Sequence, residues 1–207
     1  MIVFDMDGVL VGVRSSWDFI HNYFHVNNDE NFQRYERGEI DYKEFMRSDI
    51  LLWGDASKEQ IEYILNGIEL HVGAKETIEQ LRSAGYKTAI ISSGISLLAD
   101  RVMKQLGIDY SFSNVLLFDE NNKLTGEGVQ LVTLFNKDEV LKQVSEAEGV
   151  SPDECIAVGD SRNDIPMFNI AGYSIAFNPK DEEVKEEADV TVYGEDLRLI
   201  LPYLIKE

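Results

Sequence analysis

Short apolar runs alternate along the chain with longer segments whose apolar residues fall three and four apart. Residues 2–4, Ile-Val-Phe, are too few for a helix and predict a buried strand. Similar runs recur at 86–91, 112–118, 155–158, 174–177 and 190–192, each followed by polar or glycine-containing turns. Between them, helical spacing predicts helices over 73–82, 97–106, 137–148, up to 171, 182–188 and 197–205. Gly85, Gly107 and Gly149 follow three of these and supply the left-handed residue at which helices commonly stop. A polar turn at 119–123 leading into Leu124-Thr125-Gly126-Glu127 reads as a surface hairpin. Strands alternating with helices predict a parallel sheet with right-handed crossovers, hence a three-layer α/β fold.

The stretch from about 14 to 70 carries no strand pattern. Ser15 or Ser16 can cap a helix bearing Trp17, Ile20 and Phe24, and further helices are expected over 28–36, 42–52 and 57–66. Asp41 and Ser57 are their candidate N-caps, and Gly38 and Gly54 the breaks between them. This is a small helical module inserted after the first strand, giving a core of residues 1–12 and 73–207 and a cap of residues 13–72. Hinges are expected near Gly12 and Val72-Gly73.

Composition narrows the function. The 207 residues carry 38 acidic and 19 basic side chains, a net charge of −19, which argues against nucleic acid or an anionic membrane as partner. A phosphorylated substrate would need local positive charge or metal to offset that field. No apolar run approaches the roughly 18 residues of a membrane span, and with the first strand at residues 2–4 no signal peptide is expected. Cys155 is the only cysteine, so no disulfide framework exists. A cytoplasmic protein is expected; oligomeric state is not legible.

The candidate chemistry gathers at strand ends. Asp5 and Asp7 lie two apart as the first strand finishes, so their side chains can project to one side. Ser92-Ser93-Gly94 follows the second strand and Gly159-Asp160-Ser161-Arg162-Asn163-Asp164 a later one. In a parallel sheet these ends share one edge and meet in one cleft. Asp5 or Asp7 with Asp160 can hold Mg²⁺, a hard cation that wants oxygen ligands. Ser93 and the amides near Gly94, at a helix start, suit an anion. Lys137 is the best-placed cation for a transferring phosphoryl group. His21 and His25, four apart on one helix, could form a metal pair, but without a third ligand nearby they read as surface or cap packing.

As an ordered set, Asp-Met-Asp-Gly-Val at 5–9, Ser-Ser-Gly at 92–94, Lys137, and Gly-Asp-Ser-Arg-Asn-Asp at 159–164 followed by Pro166-Met167-Phe168 resembles the haloacid dehalogenase superfamily of phosphatases. Within it, the chain is similar to the phosphoserine phosphatase group over nearly its whole length. The resemblance implies a Rossmann-like core under a helical cap, with Asp5 as the nucleophile that takes the phosphoryl group. It implies Asp7 as the acid and base, and Mg²⁺ held by Asp5, Asp160 and the Asp7 carbonyl. Ser93, Gly94, Lys137 and Asn163 would bind phosphate, and Asp164 would support the metal from behind. The implied reaction is hydrolysis of L-phosphoserine to L-serine and phosphate. The alternatives are another small ester such as a sugar phosphate, transfer to an acceptor other than water, or a noncatalytic phosphate-binding sensor. The cap departs from the family: Arg14 stands where a Glu binds the substrate amino group, and alignment through Tyr42 puts Asp49 where an Arg binds the carboxylate. Three readings stay open: a zwitterion bound in the opposite orientation, an Arg14–Asp49 pair, or Arg47 in the carboxylate role.

Overall fold

Ile2 and Phe4 of β1 (Ile2–Phe4) pack into one apolar cluster and Val3 into another, one on each face of the central sheet. A strand covered on both faces has no polar side, which is why its sequence is uniformly apolar. The computed structural model describes residues 1–205; residues 206 and 207 of the expected core lie outside them. Seven strands, β1, β2 (Thr88–Ile95), β3 (Tyr110–Phe118), β4 (Leu124–Val129), β5 (Ile156–Gly159), β6 (Tyr173–Phe177) and β7 (Val190–Val192), form a sheet of order β4-β3-β2-β1-β5-β6-β7. All neighbours are parallel except β3 and β4, the expected hairpin, which makes one edge antiparallel.

Four helices, α1 (Ser16–Phe24), α2 (Asp29–Glu36), α3 (Tyr42–Leu51) and α4 (Lys58–Leu65), form the inserted module. Their starts follow the sequence logic: Ser15, Asp41 and Ser57 each accept a hydrogen bond from a backbone N–H in the first turn. Six more helices complete the layers: α5 (Ala74–Ser83), α6 (Ser96–Leu106), α7 (Lys137–Ala147), α8 (Ile165–Phe168), α9 (Glu182–Glu187) and α10 (Leu201–Leu204). Ile78 of α5 and Leu98 of α6 pack with Ile2 and Phe4, whereas Leu141 of α7 and Val184 of α9 pack with Val3. The helix expected to reach residue 171 is the single turn α8, and the one expected over 197–205 is a 3₁₀ turn followed by α10. Among the described residues no helix is long and apolar enough to cross a membrane.

Two features aim the site. Strand order reverses at β1, with β2 on one side and β5 on the other, so the loops after these three strands converge. The two connections to the cap run side by side: Gly12 N–H donates to the Glu69 carbonyl (3.1 Å) and His71 N–H to the Leu10 carbonyl (2.8 Å). The hairpin also leans on the cap, where the Lys58 N–H donates to the Asn122 carbonyl at 2.8 Å.

Candidate active site

A cavity of about 1060 Å³ lies between the carboxyl ends of the strands and the cap. Asp5, Asp7, Ser93, Asp160 and Asn163 line its floor, and Arg14, Tyr42 and Asp49 its walls. Lys137 and Asp164 lie beneath, fully buried.

Asp5 directly follows β1, and its Oδ1 accepts from the Met6 N–H at 2.6 Å. Lys137, opening α7, reaches Asp5 Oδ2 at 2.9 Å and Asp164 Oδ1 at 2.6 Å. Asp164 Oδ2 accepts from the amides of Asp160 (2.9 Å) and Ser161 (3.0 Å), which braces the turn after β5. Both Asp164 oxygens are therefore engaged. Oxygens of Asp5, Asp160 and Asp164 fall within 4.8 Å of one another, and all three residues are buried. Burial raises the pKa of Asp5, opposed by Lys137; burial, Asp164 and Asp5 raise that of Asp160. Burial would lower Lys137, but Asp164 and Asp5 outweigh it and hold the ammonium charged. Crowded, desolvated carboxylates with one ammonium between them are an acidic cluster short of positive charge, and their all-oxygen donor set fits a hard divalent cation. Asp5 is likewise held by the Met6 amide and Lys137, which leaves Asp160 as the carboxylate of the three whose oxygens accept no hydrogen bond among the described residues.

Asp7 has a different environment. Its Oδ2 accepts from both the N–H and hydroxyl of Ser16, each at 2.8 Å, while its Oδ1 is buried with no hydrogen-bond partner. Burial lifts its pKa to about 6, against the Ser16 bonds that lower it. Two carboxylates two residues apart thus differ: Asp5 is paired with a buried ammonium, and Asp7 has one oxygen free to carry or accept a proton. Ser15 caps α1, leaving Ser16 to hold Asp7, a role that the N-cap pattern alone does not distinguish.

Strand β2 continues through Ser92–Gly94 rather than stopping at residue 91, with an irregular register against β3 between Ile91 and Ile95. Gly94 has little space: a Cβ there would lie 2.8 Å from Met6 Cε and 3.1 Å from Asp7 Oδ2. Its N–H donates to Ser92 Oγ at 3.2 Å. Ser92 lines the cavity beside Ser93 and is buried. The Ser93 carbonyl accepts from Trp17 Nε1 (3.0 Å) and Asn114 Nδ2 (2.9 Å). Asn114 also donates to the Tyr42 hydroxyl at 3.0 Å, so a buried amide on β3 ties α3 to this turn. Nothing in the motif spacing singled it out.

The cap residues separate. Arg14 faces the cavity, 46% exposed, with its nearest carboxylate oxygen, Asp160 Oδ2, at 3.9 Å. Asp49 does not pair with it: Asp49 Oδ2 accepts from Asn28 Nδ2 (3.0 Å) and lies 3.4 Å from His21 Nε2, and Oδ1 accepts from Asn31 Nδ2 (3.3 Å). Trp53 Nε1–H donates to His21 Nδ1 at 2.9 Å, so that nitrogen carries no proton and the ring is neutral. Arg47 turns away to Glu127 on β4, at 2.8 Å, and does not line the cavity. His25 sits exposed past the end of α1 in a left-handed conformation; His21 is cap packing. Cys155 is buried, its thiol raised by burial.

Comparison with known proteins places these features. A family profile described as haloacid dehalogenase-like hydrolase matches residues 1–172. A phosphoserine phosphatase of Archaeoglobus fulgidus is 38% identical over 95% of this chain, which spans 57% of that protein's length. A phosphoserine phosphatase of Methanocaldococcus jannaschii is 34% identical, with 99% of this chain and 97% of that one covered. A solved structure of a phospho-aspartyl intermediate analogue of phosphoserine phosphatase superposes with a TM-score of 0.84 at 33% identity, covering 99% and 98% of the two chains.

Proposed function

Because this chain belongs to the haloacid dehalogenase-like hydrolases, we propose that it is a Mg²⁺-dependent phosphomonoesterase acting on a small phosphorylated metabolite, L-phosphoserine foremost. The observation that carries the reading is the split between neighbouring carboxylates. Asp5 is held by the Lys137 ammonium at 2.9 Å, whereas Asp7 keeps a buried oxygen without a partner; burial raises both pKa values, Asp5 to about 7 and Asp7 to about 6, so the contacts and not the pKa values separate them. That is the division expected of a nucleophile and an acid–base group.

An Asp5 oxygen attacks phosphorus and forms an aspartyl phosphate as the P–O bond to the alcohol breaks. Asp7, protonated at its unpartnered oxygen, gives its proton to the departing alkoxide. Asp7, now ionised, takes a proton from water as that water attacks phosphorus, and Asp5 leaves as carboxylate with phosphate released. Lys137 holds positive charge at the nucleophile throughout, Ser92, Ser93 and Asn163 border the phosphoryl site, and Asp164 fixes Lys137 and the turn carrying Asp160. Mg²⁺, held by Asp5, Asp160 and the Asp7 carbonyl, would neutralise charge on the phosphoryl oxygens. The names of the relatives from Archaeoglobus fulgidus and Methanocaldococcus jannaschii support phosphoserine as the substrate.

Phosphate release from L-phosphoserine and a panel of sugar and glycerol phosphates, with Mg²⁺ and with EDTA, tests the proposal. Metal-dependent turnover led by phosphoserine is expected; absence of turnover on every ester sinks it.

A further inference from the structure

Two opposite charges, Arg14 and Asp49, face the same cavity without pairing with each other. Arg14, just before α1, is half-exposed, and its nearest carboxylate, Asp160, lies at 3.9 Å and belongs to the acidic cluster proposed to hold Mg²⁺. Asp49 projects from α3 on the cap side, 2% exposed, with only neutral donors around it: His21, Asn28 and Asn31. Among the described residues no Lys or Arg pairs with it. A buried carboxylate given hydrogen bonds but no counter-charge is incompletely compensated. Its Oδ1 has a single donor, at 3.3 Å, and so retains accepting capacity. Phe32, Tyr35, Tyr42 and Phe45 line the cap wall beside it, and a low-dielectric wall strengthens any charge pairing there.

We infer that the leaving alcohol carries a carboxylate and an ammonium, the carboxylate received by Arg14 beside the phosphoryl site and the ammonium by Asp49 in the cap. This polarity is the reverse of the arrangement that the family resemblance implies. It rests on the phosphomonoesterase reading and names the residues that choose among its substrates. The structure favours it over the other two arrangements the sequence left open, since Arg14 and Asp49 are engaged elsewhere than with each other and Arg47 is spent on Glu127. A neutral polyol phosphate would leave both charges unanswered.

The test compares kcat and KM on L-phosphoserine, O-phosphoethanolamine (no carboxylate), 3-phosphooxypropanoate (no ammonium), glycerol 3-phosphate and p-nitrophenyl phosphate, using the full chain with Mg²⁺. Phosphoserine should exceed each single-charge analogue in kcat/KM by about 10- to 100-fold, the range for a charged hydrogen bond. Arg14→Gln should bring phosphoserine down to the level of phosphoethanolamine, chiefly through KM. Asp49→Asn should bring it down to that of 3-phosphooxypropanoate. Equal or better use of glycerol 3-phosphate by the unsubstituted protein overturns the inference, and needs no variant to fold. Crossed effects, with Arg14→Gln erasing only the ammonium preference, overturn it too. Failure on all five, p-nitrophenyl phosphate included, would instead remove the phosphatase reading beneath it.

Discussion

Lys137 Nζ stands 2.6 Å from Asp164 Oδ1, and neither side chain has any solvent exposure. The contact joins the start of α7 to the turn after β5, and the same ammonium reaches Asp5. Asp164→Ala should leave that ammonium with one partner and release two backbone amides. A loss of about 3–5 kcal/mol is expected, as for breaking a buried pair from one side. Denaturant unfolding checks this: the midpoint should fall with the slope unchanged, and Asp164→Asn should lose less because it keeps an acceptor for the amides.

Asp5→Asn and Asp7→Asn should separate by kinetics. Removing Asp5 removes the attacking oxygen, so turnover should vanish while the fold and phosphate-ester binding persist. A noncatalytic binding module would show no difference in turnover. Asp7→Asn should lower kcat for alkyl esters by about 10²- to 10⁴-fold, the usual worth of a positioned acid or base. With p-nitrophenyl phosphate, whose phenolate leaves without a proton, a single rapid burst of nitrophenolate equal to the enzyme present should precede slow turnover. A burst absent here but present with Asp5→Asn would reverse the assignment.

Gly8 follows Asp7 with φ +80°, and a Cβ there would lie 2.2 Å from Asp160 Oδ2. Gly8→Ala should therefore displace the Asp160 carboxylate, with strain at the left-handed backbone added. Mg²⁺ affinity, read from the metal dependence of turnover, should weaken by about 10- to 100-fold. Unchanged Mg²⁺ dependence would place the ion away from Asp160.

Without metal, stability should fall as pH rises. Asp5, Asp7 and Asp160 all have pKa values raised by burial, so above the unfolded value of about 4 the folded chain holds more protons than the unfolded one. Unfolding free energy therefore declines with pH from there through the raised values. Asp7 alone, lifted to about 6, accounts for a loss of about 3 kcal/mol. Tm in EDTA should drop between pH 5 and 8, and both excess Mg²⁺ and Asp160→Asn should flatten the slope. A Tm that rises over that interval in EDTA would contradict the raised values.

The sequence by itself determined the layers and the placement of chemistry along them. Period and run length separated β1 from α1, caps at Asp41 and Ser57 located two cap helices, and Asp5, Asp7, Asp160 and Asp164 all stood out as residues ending strands. These are local signals, set by side-chain spacing and turn chemistry. Where a side chain points once several elements meet was decided only by the tertiary structure. Ser16 could equally have capped its helix, yet it holds Asp7 because Ser15 takes the cap. Asn114 carries no motif and still joins three segments, because a buried amide must spend its donors and acceptors on whatever packs around it. Arg14, Arg47 and Asp49 could be paired on paper in several ways. In the fold Asp49 accepts from Asn28 and Asn31 and Arg47 reaches Glu127, contacts between distant parts of the chain that leave no trace in local spacing.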